Sequence, residues 1–282
     1  MLRRGVFALT CALVFFCNSG VAAPQRIVST NLCADEYVFR LVPRSHIAAL
    51  SFEAGDRHPV VSTIADQVAG IAQIRPSTET VLNYRPDLVV MFEGTDARLH
   101  ADLRALGLRV LEVPYANSLA DVRRTTQALG AALGASDRAR AMLMAMDAQL
   151  ALAREMAPRQ SIRTLIYEPN GYATSGGVTE ELMTIGGLAD AAPGYAANRL
   201  GQVPVEEVVA RAPELLILSG RRSDTDTHAN LVQHHPALAA LAGRSYAAWD
   251  PLTPLLCAGP WSAEAAVTFA RLGQRARREL RT

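Results

Sequence analysis

The sequence has no lysine, and its 28 basic residues are all arginines. This absence excludes every mechanism that needs a side-chain amine, including a P-loop lysine and a Schiff base with a carbonyl substrate or pyridoxal phosphate. An excess of charge is also absent, since the formal net charge over 282 residues is +1. Nucleic acid is therefore not an expected partner. The composition, 50% hydrophobic and 20% charged, is typical of one large or two ordinary globular domains.

Motifs for metal binding and hydrolysis are missing as well. The six histidines contain no pair at the i, i+4 spacing of a helical metal site; they are His46, His58, His100, His228, His234 and His235. The only Ser-Gly turn that resembles a nucleophile motif, at residues 173–177, lacks the first glycine of Gly-x-Ser-x-Gly. The acidic pairs at 180–181 and 206–207 begin predicted helices, where the helix dipole stabilises negative charge. We predict no catalytic residue and no metal site.

The first 22 residues have the pattern of a secretory signal peptide. Arg3 and Arg4 give a basic start, an apolar run extends from Val6 to Cys17, and small residues precede Pro24. The run is shorter than the roughly 20 residues that a membrane-spanning helix needs. We expect cleavage after Ala22, with the next alanine as the alternative, and export to a bacterial periplasm.

Export changes how the cysteines are interpreted. Of four cysteines, Cys11 and Cys17 belong to the leader, so the mature chain keeps Cys33 and Cys257. An even pair in an oxidising compartment is compatible with a disulfide. Two thiols that contact a ligand, or two unrelated buried cysteines, are the alternatives.

Predicted strands and helices alternate along the mature chain. Strands are expected at 26–29, 88–92, 109–113, 164–167 and 215–218, and helices at 35–41, 78–85, 97–106, 119–133, 136–157, 179–185, 205–211 and 262–280. This alternation indicates an α/β fold with parallel sheets.

The two halves of the chain repeat one pattern. Glu79, Pro86 and Asp87 recur 127 residues later as Glu206, Pro213 and Glu214, and an apolar strand follows in both halves. The matching residues at fixed spacing predict two lobes of related structure.

A long helix is predicted between the halves, because residues 136–157 share an apolar face and contain no glycine or proline. At about 1.5 Å per residue this helix is about 30 Å long, enough to connect two lobes, although it is also compatible with a final helix of the first lobe. The predicted organisation is a signal peptide (1–22), an N-terminal lobe (23–135), an interlobe helix (136–157) and a C-terminal lobe (158–282).

These segments, in this order, resemble the periplasmic binding proteins for iron–siderophores, haem and cobalamin. In the first half the resemblance rests on Arg26-Ile27-Val28-Ser29, Asp35-Glu36, Glu79-Thr80-Val81-Leu82 and Arg85-Pro86-Asp87-Leu88-Val89-Val90. In the second half it rests on Thr174-Ser175-Gly176, Val205-Glu206-Glu207-Val208, Pro213-Glu214-Leu215-Leu216 and Gly259-Pro260. Order and spacing carry the resemblance, which covers nearly all of the mature chain.

The resemblance implies two Rossmann-like α/β lobes with parallel sheets, joined by a single long α-helix. Such a protein binds its ligand between the lobes without catalysis and delivers it to an ABC-type permease. The ligand would be a large metal chelate: a cobalamin-type corrinoid, haem or a ferric siderophore. The resemblance further implies that Glu79 and Glu206, one on each lobe, pair with arginines of the permease dimer. We expect a monomer.

Loops at the ends of predicted strands contain the candidate ligand-binding residues, because α/β sheets bind ligands at these positions. They are Asn31, Cys33, Phe52, Arg75, Tyr172, Trp249, Cys257 and Trp261, and Tyr115 is a further aromatic residue in such a loop. The chain departs from the family pattern at residues 30–33 and at Trp261, where arginine is frequent. Since an anionic siderophore requires an arginine cluster and Arg75 is the main candidate, the aromatics favour a corrinoid or another large neutral ring. Haem would require Tyr172 or a histidine as iron ligand.

Two other functions are compatible with parts of this pattern. An exported two-domain enzyme of the metal-cluster type would need more cysteine ligands than the mature chain keeps. A sensor or interaction domain would bind a partner but no small molecule. Because Cys33 and Cys257 both fall in loops expected at the cleft, a disulfide between them would limit the opening of the lobes, provided that their Cα atoms lie within about 7 Å.

Overall fold

The N-terminal lobe is built on a five-stranded parallel sheet. The structure, a computed structural model, describes residues 23–57, 61–222 and 227–281, so the predicted leader and His58 lie outside the described residues. The strands are β1 (Ile27–Ser29), β2 (Ile47–Ser51), β3 (Gln73–Ile74), β4 (Leu88–Phe92) and β5 (Val110–Val113), in the spatial order β3-β2-β1-β4-β5. The helices are α1 (Leu32–Leu41), α2 (Thr78–Asn83), α3 (Ala97–Ala105) and α4 (Leu119–Ala132).

Polar residues cap the helices of this lobe. Asn31 accepts a hydrogen bond from the Cys33 N–H at the start of α1, and Ser77 accepts one from the Thr80 N–H at the start of α2. Ser118 does the same at α4. Each cap satisfies an N–H group that has no partner within its helix, which explains why the helices begin at these residues.

Helix α5 (Ser136–Met156) contacts the hydrophobic cores of both lobes. Ala139, near its start, is buried in the core of the N-terminal lobe, whereas Leu143, Met146 and Leu150 are buried in the core of the C-terminal lobe. The prediction that one long helix joins the lobes is confirmed.

The C-terminal lobe contains a mixed sheet around β6 (Ile162–Tyr167). Its other strands are β7 (Ala173–Thr174), β8 (Leu188–Asp190), β9 (Leu215–Ser219) and β10 (Tyr246–Asp250). The order is β10-β9-β6-β7, with β8 also paired to β6, and among the strand pairs of the described residues in this lobe only β6–β7 is antiparallel. The helices are α6 (Gly177–Ile185), α7 (Val205–Arg211), α8 (His228–Leu231), α9 (Thr253–Leu256) and α10 (Ala263–Glu279).

The predicted α/β fold with two lobes and parallel sheets is confirmed, except that β7 is antiparallel. The sequence pattern missed β2, β3, β7, β8 and β10. Three of these strands are only two or three residues long, and the other two, Ile-Ala-Ala-Leu-Ser and Tyr-Ala-Ala-Trp-Asp, have alanines at their centres. Alanine has a low β-propensity, so pairing with neighbouring strands rather than local preference forms them. Within the described ranges, no helix combines the length and the apolar character needed to cross a bilayer.

The amino-terminal edge of the first sheet is held by an arginine and an acid. Asp87 accepts hydrogen bonds from the backbone N–H groups of Gln25 and Arg26, 2.7 and 3.1 Å away. The Arg26 guanidinium in turn donates to the carbonyl oxygens of Tyr84 and Arg85. The start of β1 is thus fastened to the turn that precedes β4.

The second sheet repeats this arrangement. Glu214 accepts a hydrogen bond of 2.9 Å from the backbone N–H of Arg163, whose guanidinium donates to the carbonyl oxygens of Arg211 and Ala212. Ala212 precedes a proline and has a left-handed φ of 37°, as Arg85 does with a φ of 47°. The repeat seen in the sequence is therefore also a repeat of hydrogen bonds and of backbone conformation.

Residues 257–262, which we call the crossing segment, form a second connection between the lobes. The chain leaves β10 in the C-terminal lobe, and Cys257 and Trp261 then pack in the core of the N-terminal lobe. The following helix, α10, returns to the core of the C-terminal lobe, where Phe269 is fully buried. The chain therefore passes between the lobes at two places, α5 and the crossing segment, and the start of α4 also packs in the core of the C-terminal lobe through Leu119 and Val122.

Candidate functional site

A cleft lies between the lobes at the carboxyl ends of the strands of both sheets. It contains two cavities of about 430 and about 270 Å³ that share five lining residues, Tyr115, Thr174, Thr179, Leu255 and Leu256. The larger cavity is also lined by Glu168, Pro169, Ser219, Gly220, Asn230, Gln233, Pro251 and Leu252. The smaller one is also lined by Cys33, Phe92, Ala116, Asn117, Ser175, Gly176, Gly177, Val178, Cys257 and Ala258. This is where α/β sheets bind ligands, so the cleft is the candidate binding site.

Tyr115 is the prominent aromatic residue of the N-terminal wall. Its side chain is 64% exposed, and its backbone N–H donates to a carboxylate oxygen of Glu93 at 2.9 Å. Its ring meets Phe92 edge to face, with 6.3 Å between centroids. Tyr115 thus combines an anchored backbone with an exposed ring at the point shared by the two cavities.

Helix α9 supplies the apolar part of the opposite wall through Leu255 and Leu256, of which Leu256 is 56% exposed. The residue before α9, Leu252, has a left-handed φ of 50°, a conformation that costs a branched residue about 1–2 kcal/mol. Its N–H donates to Asp250 Oδ1 at 2.9 Å. Burial raises the pKa of Asp250, while the hydrogen bond from Leu252 lowers it.

The polar groups of the cleft are mostly neutral. The Thr174 hydroxyl donates to the Glu168 carboxylate, and the Gln233 amide nitrogen donates to the carbonyl oxygens of Tyr167 and Ser219 at 2.8 and 3.0 Å. Gln233 therefore ties the ends of β6 and β9 together beneath the larger cavity. Among the described residues that line the two cavities, Glu168 is the only acidic one, and none is basic. The described part of the lining therefore offers no arginine to an anionic ligand.

Cys33 and Cys257 form a disulfide, with their Cα atoms 5.0 Å apart. Of the alternatives that the sequence left open, the structure has the disulfide and not a pair of thiols. Both residues border the smaller cavity, so the disulfide belongs to the wall of the cleft.

Phe52 and Arg75, two predicted ligand-binding residues, lie together at the ends of β2 and β3. The guanidinium carbon of Arg75 is 4.0 Å from the ring centroid of Phe52, which is 42% exposed. A cation over an exposed ring contributes about 0.5–1 kcal/mol. In the sheet, β2 and β3 lie on the opposite side of β1 from β4 and β5, the strands that lead to Phe92 and Tyr115. Asn31, another candidate of this lobe, uses its side chain to cap α1.

The sequence predicted that Trp261 lies on the surface of the cleft, but the structure buries its side chain in the N-terminal lobe. It is only 8% exposed and packs edge to face on Tyr37, with 4.9 Å between ring centroids. The Arg40 guanidinium lies over its ring at 4.4 Å, and its indole N–H donates to the Cys257 carbonyl oxygen at 3.0 Å. The indole is enclosed by the N-terminal lobe, which leaves little of it accessible, and its contact with a ligand stays a prediction.

The other two predicted aromatic residues lie in the C-terminal lobe. Trp249 stacks on His234 with 4.8 Å between ring centroids, and it packs against the core that contains Leu216 and Leu218. Tyr172 is 44% exposed and forms an isolated antiparallel bridge with Gln202. Trp249 thus serves packing, whereas Tyr172 keeps an accessible ring.

Glu79 and Glu206 are exposed in the first turns of the short helices α2 and α7, one on each lobe. They occupy the same position in the repeat. Both side chains are therefore accessible to a partner.

A buried acid that sequence analysis used only as a family motif lies directly behind the cleft. Asp35 is fully buried in α1, and its carboxylate accepts hydrogen bonds from the backbone N–H and the hydroxyl of Ser51 at the end of β2. Burial raises the pKa of Asp35 to about 7, although the bonds from serine lower it. Its neighbour Glu36 accepts from the Thr63 N–H and pairs with Arg40.

Sequence reasoning missed most of the cavity lining. Leu255 and Leu256 are apolar residues in a predicted loop, which is a weak signal of an exposed contact surface. Gln233 gave no signal, because only the tertiary structure brings its amide to the strand ends. Within the described ranges, no group of three or more histidine, cysteine, aspartate or glutamate side chains is placed to hold a metal ion.

Comparisons with known proteins place this geometry in context. A family model described as "Periplasmic binding protein" matches residues 42–244. No curated protein sequence matches the chain.

Solved structures share the fold over nearly the whole chain. The periplasmic haem-binding protein RhuT from Roseiflexus sp. RS-1 has a TM-score of 0.68 at 20% identity, covering 89% of this chain and 98% of its own. The haem-binding protein HutB of Vibrio cholerae has a TM-score of 0.68 at 17% identity, covering 88% and 98%. The vitamin B12-binding protein BtuF of Vibrio cholerae has a TM-score of 0.58 at 18% identity, covering 90% and 99%. At such identities the likeness establishes the fold and not the ligand.

Proposed function

The chain belongs to the periplasmic binding protein family, and from that premise we propose that it captures a large, neutral metal chelate of the corrinoid type and delivers it to an ABC permease. The resemblance stated from the sequence is confirmed by the family match and the shared fold. Members of this family are binding proteins, so the prediction that the chain is not an enzyme is confirmed as well.

The chemistry of the cleft carries the ligand proposal. Apolar contact comes from Phe92, Tyr115 and Leu256, and hydrogen-bonding groups come from neutral amides and hydroxyls such as Asn117 and Thr179. A corrinoid presents an extended ring edged with amides, which these groups match. Haem carboxylates and anionic siderophores call for arginine, and Arg75 lies with Phe52 at β2 and β3. The neighbours named for haem and for vitamin B12 bind ligands of the size that is proposed here.

Titration of the purified mature protein tests this proposal. Intrinsic fluorescence, or equilibrium dialysis, would be followed with cyanocobalamin, haem and a ferric catecholate siderophore. We expect saturable binding of the corrinoid. Saturation by haem or by the siderophore alone would overturn the corrinoid assignment, and failure of the whole panel would favour the sensor or interaction function.

Two leucines provide a matched test of the cleft. Leu256→Asn should weaken corrinoid binding about tenfold, because burying a leucine side chain contributes roughly 1.5 kcal/mol or more. Leu200→Asn is the control, because Leu200 is 70% exposed and does not line either cavity. Equal affinities of the two variants would place the ligand elsewhere.

We also propose that Glu79 and Glu206 are the contacts to the permease. Two equivalent acids on two related lobes suit a partner with pseudo-twofold symmetry. The double variant Glu79→Arg, Glu206→Arg should abolish uptake and leave ligand affinity unchanged. Glu264→Arg is the control, since Glu264 is also an exposed acid in the first turn of a helix. Normal uptake by the double variant would contradict the assignment.

Export and monomeric state complete the proposal. The family supports a periplasmic location, and cleavage after Ala22 would release a mature chain that begins at residue 23. N-terminal sequencing of protein from the periplasmic fraction and its sedimentation coefficient test both statements. An intact leader or a dimer would contradict them.

A further inference from the structure

The α9 wall of the cleft packs on the core of the C-terminal lobe through Leu252 and Leu255, but the segment that follows it is attached to the N-terminal lobe. It follows β10 directly, yet the crossing segment that comes next packs in the opposite core. The wall is therefore attached through contacts between residues that are far apart in the chain. Cys33 and Cys257, for example, are separated by 224 residues.

Three kinds of contact make this attachment. The first is the disulfide between Cys33 and Cys257. The second is the buried indole of Trp261, which contacts Tyr37 and Arg40. The third is a hydrogen bond from the Tyr37 hydroxyl to the Ala258 carbonyl oxygen at 3.4 Å. All three connect the crossing segment to α1.

Ser262 connects the crossing segment to α9. This side chain is fully buried, and its hydroxyl donates to the Pro254 carbonyl oxygen at 2.6 Å while accepting from the Gly259 N–H at 3.1 Å. The indole also fills the space at Gly259, where a Cβ would lie 2.3 Å from the ring of Trp261. The position of the indole therefore determines the path of the backbone that carries Leu255 and Leu256.

We propose that the Cys33–Cys257 disulfide, Trp261 and Ser262 are positioning residues that hold the α9 wall on the N-terminal lobe before ligand arrives. Leu255 and Leu256 then form a surface that is already in place, which lowers the entropy lost on binding. Because Leu252 and Leu255 also pack on the core of the C-terminal lobe, α9 contacts both lobes, and its attachment to α1 limits how far it can move with the C-terminal lobe when the lobes open. The role of this wall in ligand binding rests on the proposed function, whereas its attachment does not.

Hydrogen exchange of the ligand-free mature protein tests the attachment. Exchange at the amides of Thr253 and of residues 255–258 should become at least tenfold faster in the double variant Cys33→Ser, Cys257→Ser and in Ser262→Ala. Trp261→Ala should have the same effect, and Trp261→Phe should restore most of the protection because an aromatic ring still packs on Tyr37. Amides of the core strands β4 and β9 should accelerate only as far as the loss of global stability accounts for, which urea denaturation of each variant measures.

A control separates positioning from general stability, because loss of a disulfide typically removes about 2–5 kcal/mol. Gly130→Ala, which destabilises the contact between α4 and α5, should accelerate exchange without singling out residues 253–258. Unchanged exchange of this segment in the disulfide and Trp261→Ala variants would overturn the proposal. Acceleration spread equally over both lobes would also overturn it.

The ligand arm uses cyanocobalamin as the probe. Its dissociation should be about tenfold faster from the double serine variant, with a smaller change for Trp261→Phe. If the wild-type protein does not bind cyanocobalamin but the variants show the expected exchange, the proposed ligand is wrong and the attachment of α9 still holds. Wild-type dissociation rates together with faster exchange would refute the role of this attachment in binding.

Discussion

The two lobes are alike at one edge of their sheets and different at the other. At the amino-terminal edge, Arg26 with Asp87 and Arg163 with Glu214 make matching hydrogen bonds. At the carboxyl edge, β1 leads almost directly into α1, whereas β6 is followed by a hairpin and β10 by α9 and the crossing segment. The hydrogen bonds that support the amino-terminal edges are thus the same in both lobes, whereas the loops that line the cleft differ.

The largest effect should come from Asp35, a buried acid on the cleft side of the N-terminal lobe. Its pKa is about 7 in the folded protein and 3.8 in the unfolded chain, so the unfolded state binds fewer protons in between. The free energy of unfolding should therefore fall as the pH rises from about 4 to about 7, by on the order of a few kcal/mol. Urea denaturation at several pH values measures this fall.

Two variants sharpen the comparison between the lobes. Asp35→Asn should remove most of the decrease, because the amide stays neutral. Asp250→Asn, in the C-terminal lobe, should remove less, since burial raises the pKa of Asp250 but a hydrogen bond from Leu252 opposes it. A wild-type pH profile in the Asp35→Asn protein would disprove the assignment.

An intermediate effect is expected at one tight helix contact in each lobe. A Cβ at Gly130 would lie 2.4 Å from the Ala139 Cβ, and one at Gly186 would lie 2.8 Å from the Ala266 carbonyl oxygen. Each glycine-to-alanine variant should lose about 1–3 kcal/mol through overpacking. Chemical denaturation measures both losses.

Rescue distinguishes the two contacts. Gly130→Ala combined with Ala139→Gly should regain most of the lost stability, because one side chain blocks the other. For Gly186→Ala no such partner exists, since the nearest atoms at 2.8 Å include backbone oxygen. Failure of the first rescue would mean that the helices cannot keep their spacing.

The smallest effects should come from the repeated acids. Asp87→Asn and Glu214→Gln should each lose about 0.5–1.5 kcal/mol, because both acids are partly exposed. Asp87 accepts from two backbone N–H groups and Glu214 from one, so the loss should be slightly larger for Asp87. Thermal denaturation measures both losses. If one variant were as stable as the wild type and the other lost several kcal/mol, the two acids would not have equivalent roles in the two lobes.

Much of the fold was predictable because the signals are local. The helices at 97–105 and 205–211 and the strand at 88–92 follow from periodicity and from helix ends, and the repeat follows from an acid, a proline and an acid at fixed spacing. Strands such as β2 and β10 were not predictable, because their central alanines prefer no strand and pairing with neighbouring strands forms them.

For the candidate site residues, too, the sequence indicated an approximate location but not the contacts that each side chain makes. The sequence indicated that Cys33, Cys257 and Phe52 lie in loops at the cleft and that Arg75 is the main candidate for an anionic ligand. It could not indicate that the two cysteines form a disulfide and that Arg75 stacks on Phe52. It also placed Trp261 on the cleft, whereas the indole is buried against Tyr37. An aromatic side chain in a loop has the same sequence pattern whether it contacts a ligand or a core.

Order and spacing along the chain were sufficient to establish the α/β class, the two related lobes and the family, because these depend on periodicities within segments of about ten residues. The composition of the cleft, the burial of Asp35 and the attachment of α9 to the opposite lobe depend on contacts between distant residues. Asp35 is buried by contacts with β2 of its own lobe, whereas the cleft and the attachment of α9 exist only when α5 and the crossing segment bring the two sheets together.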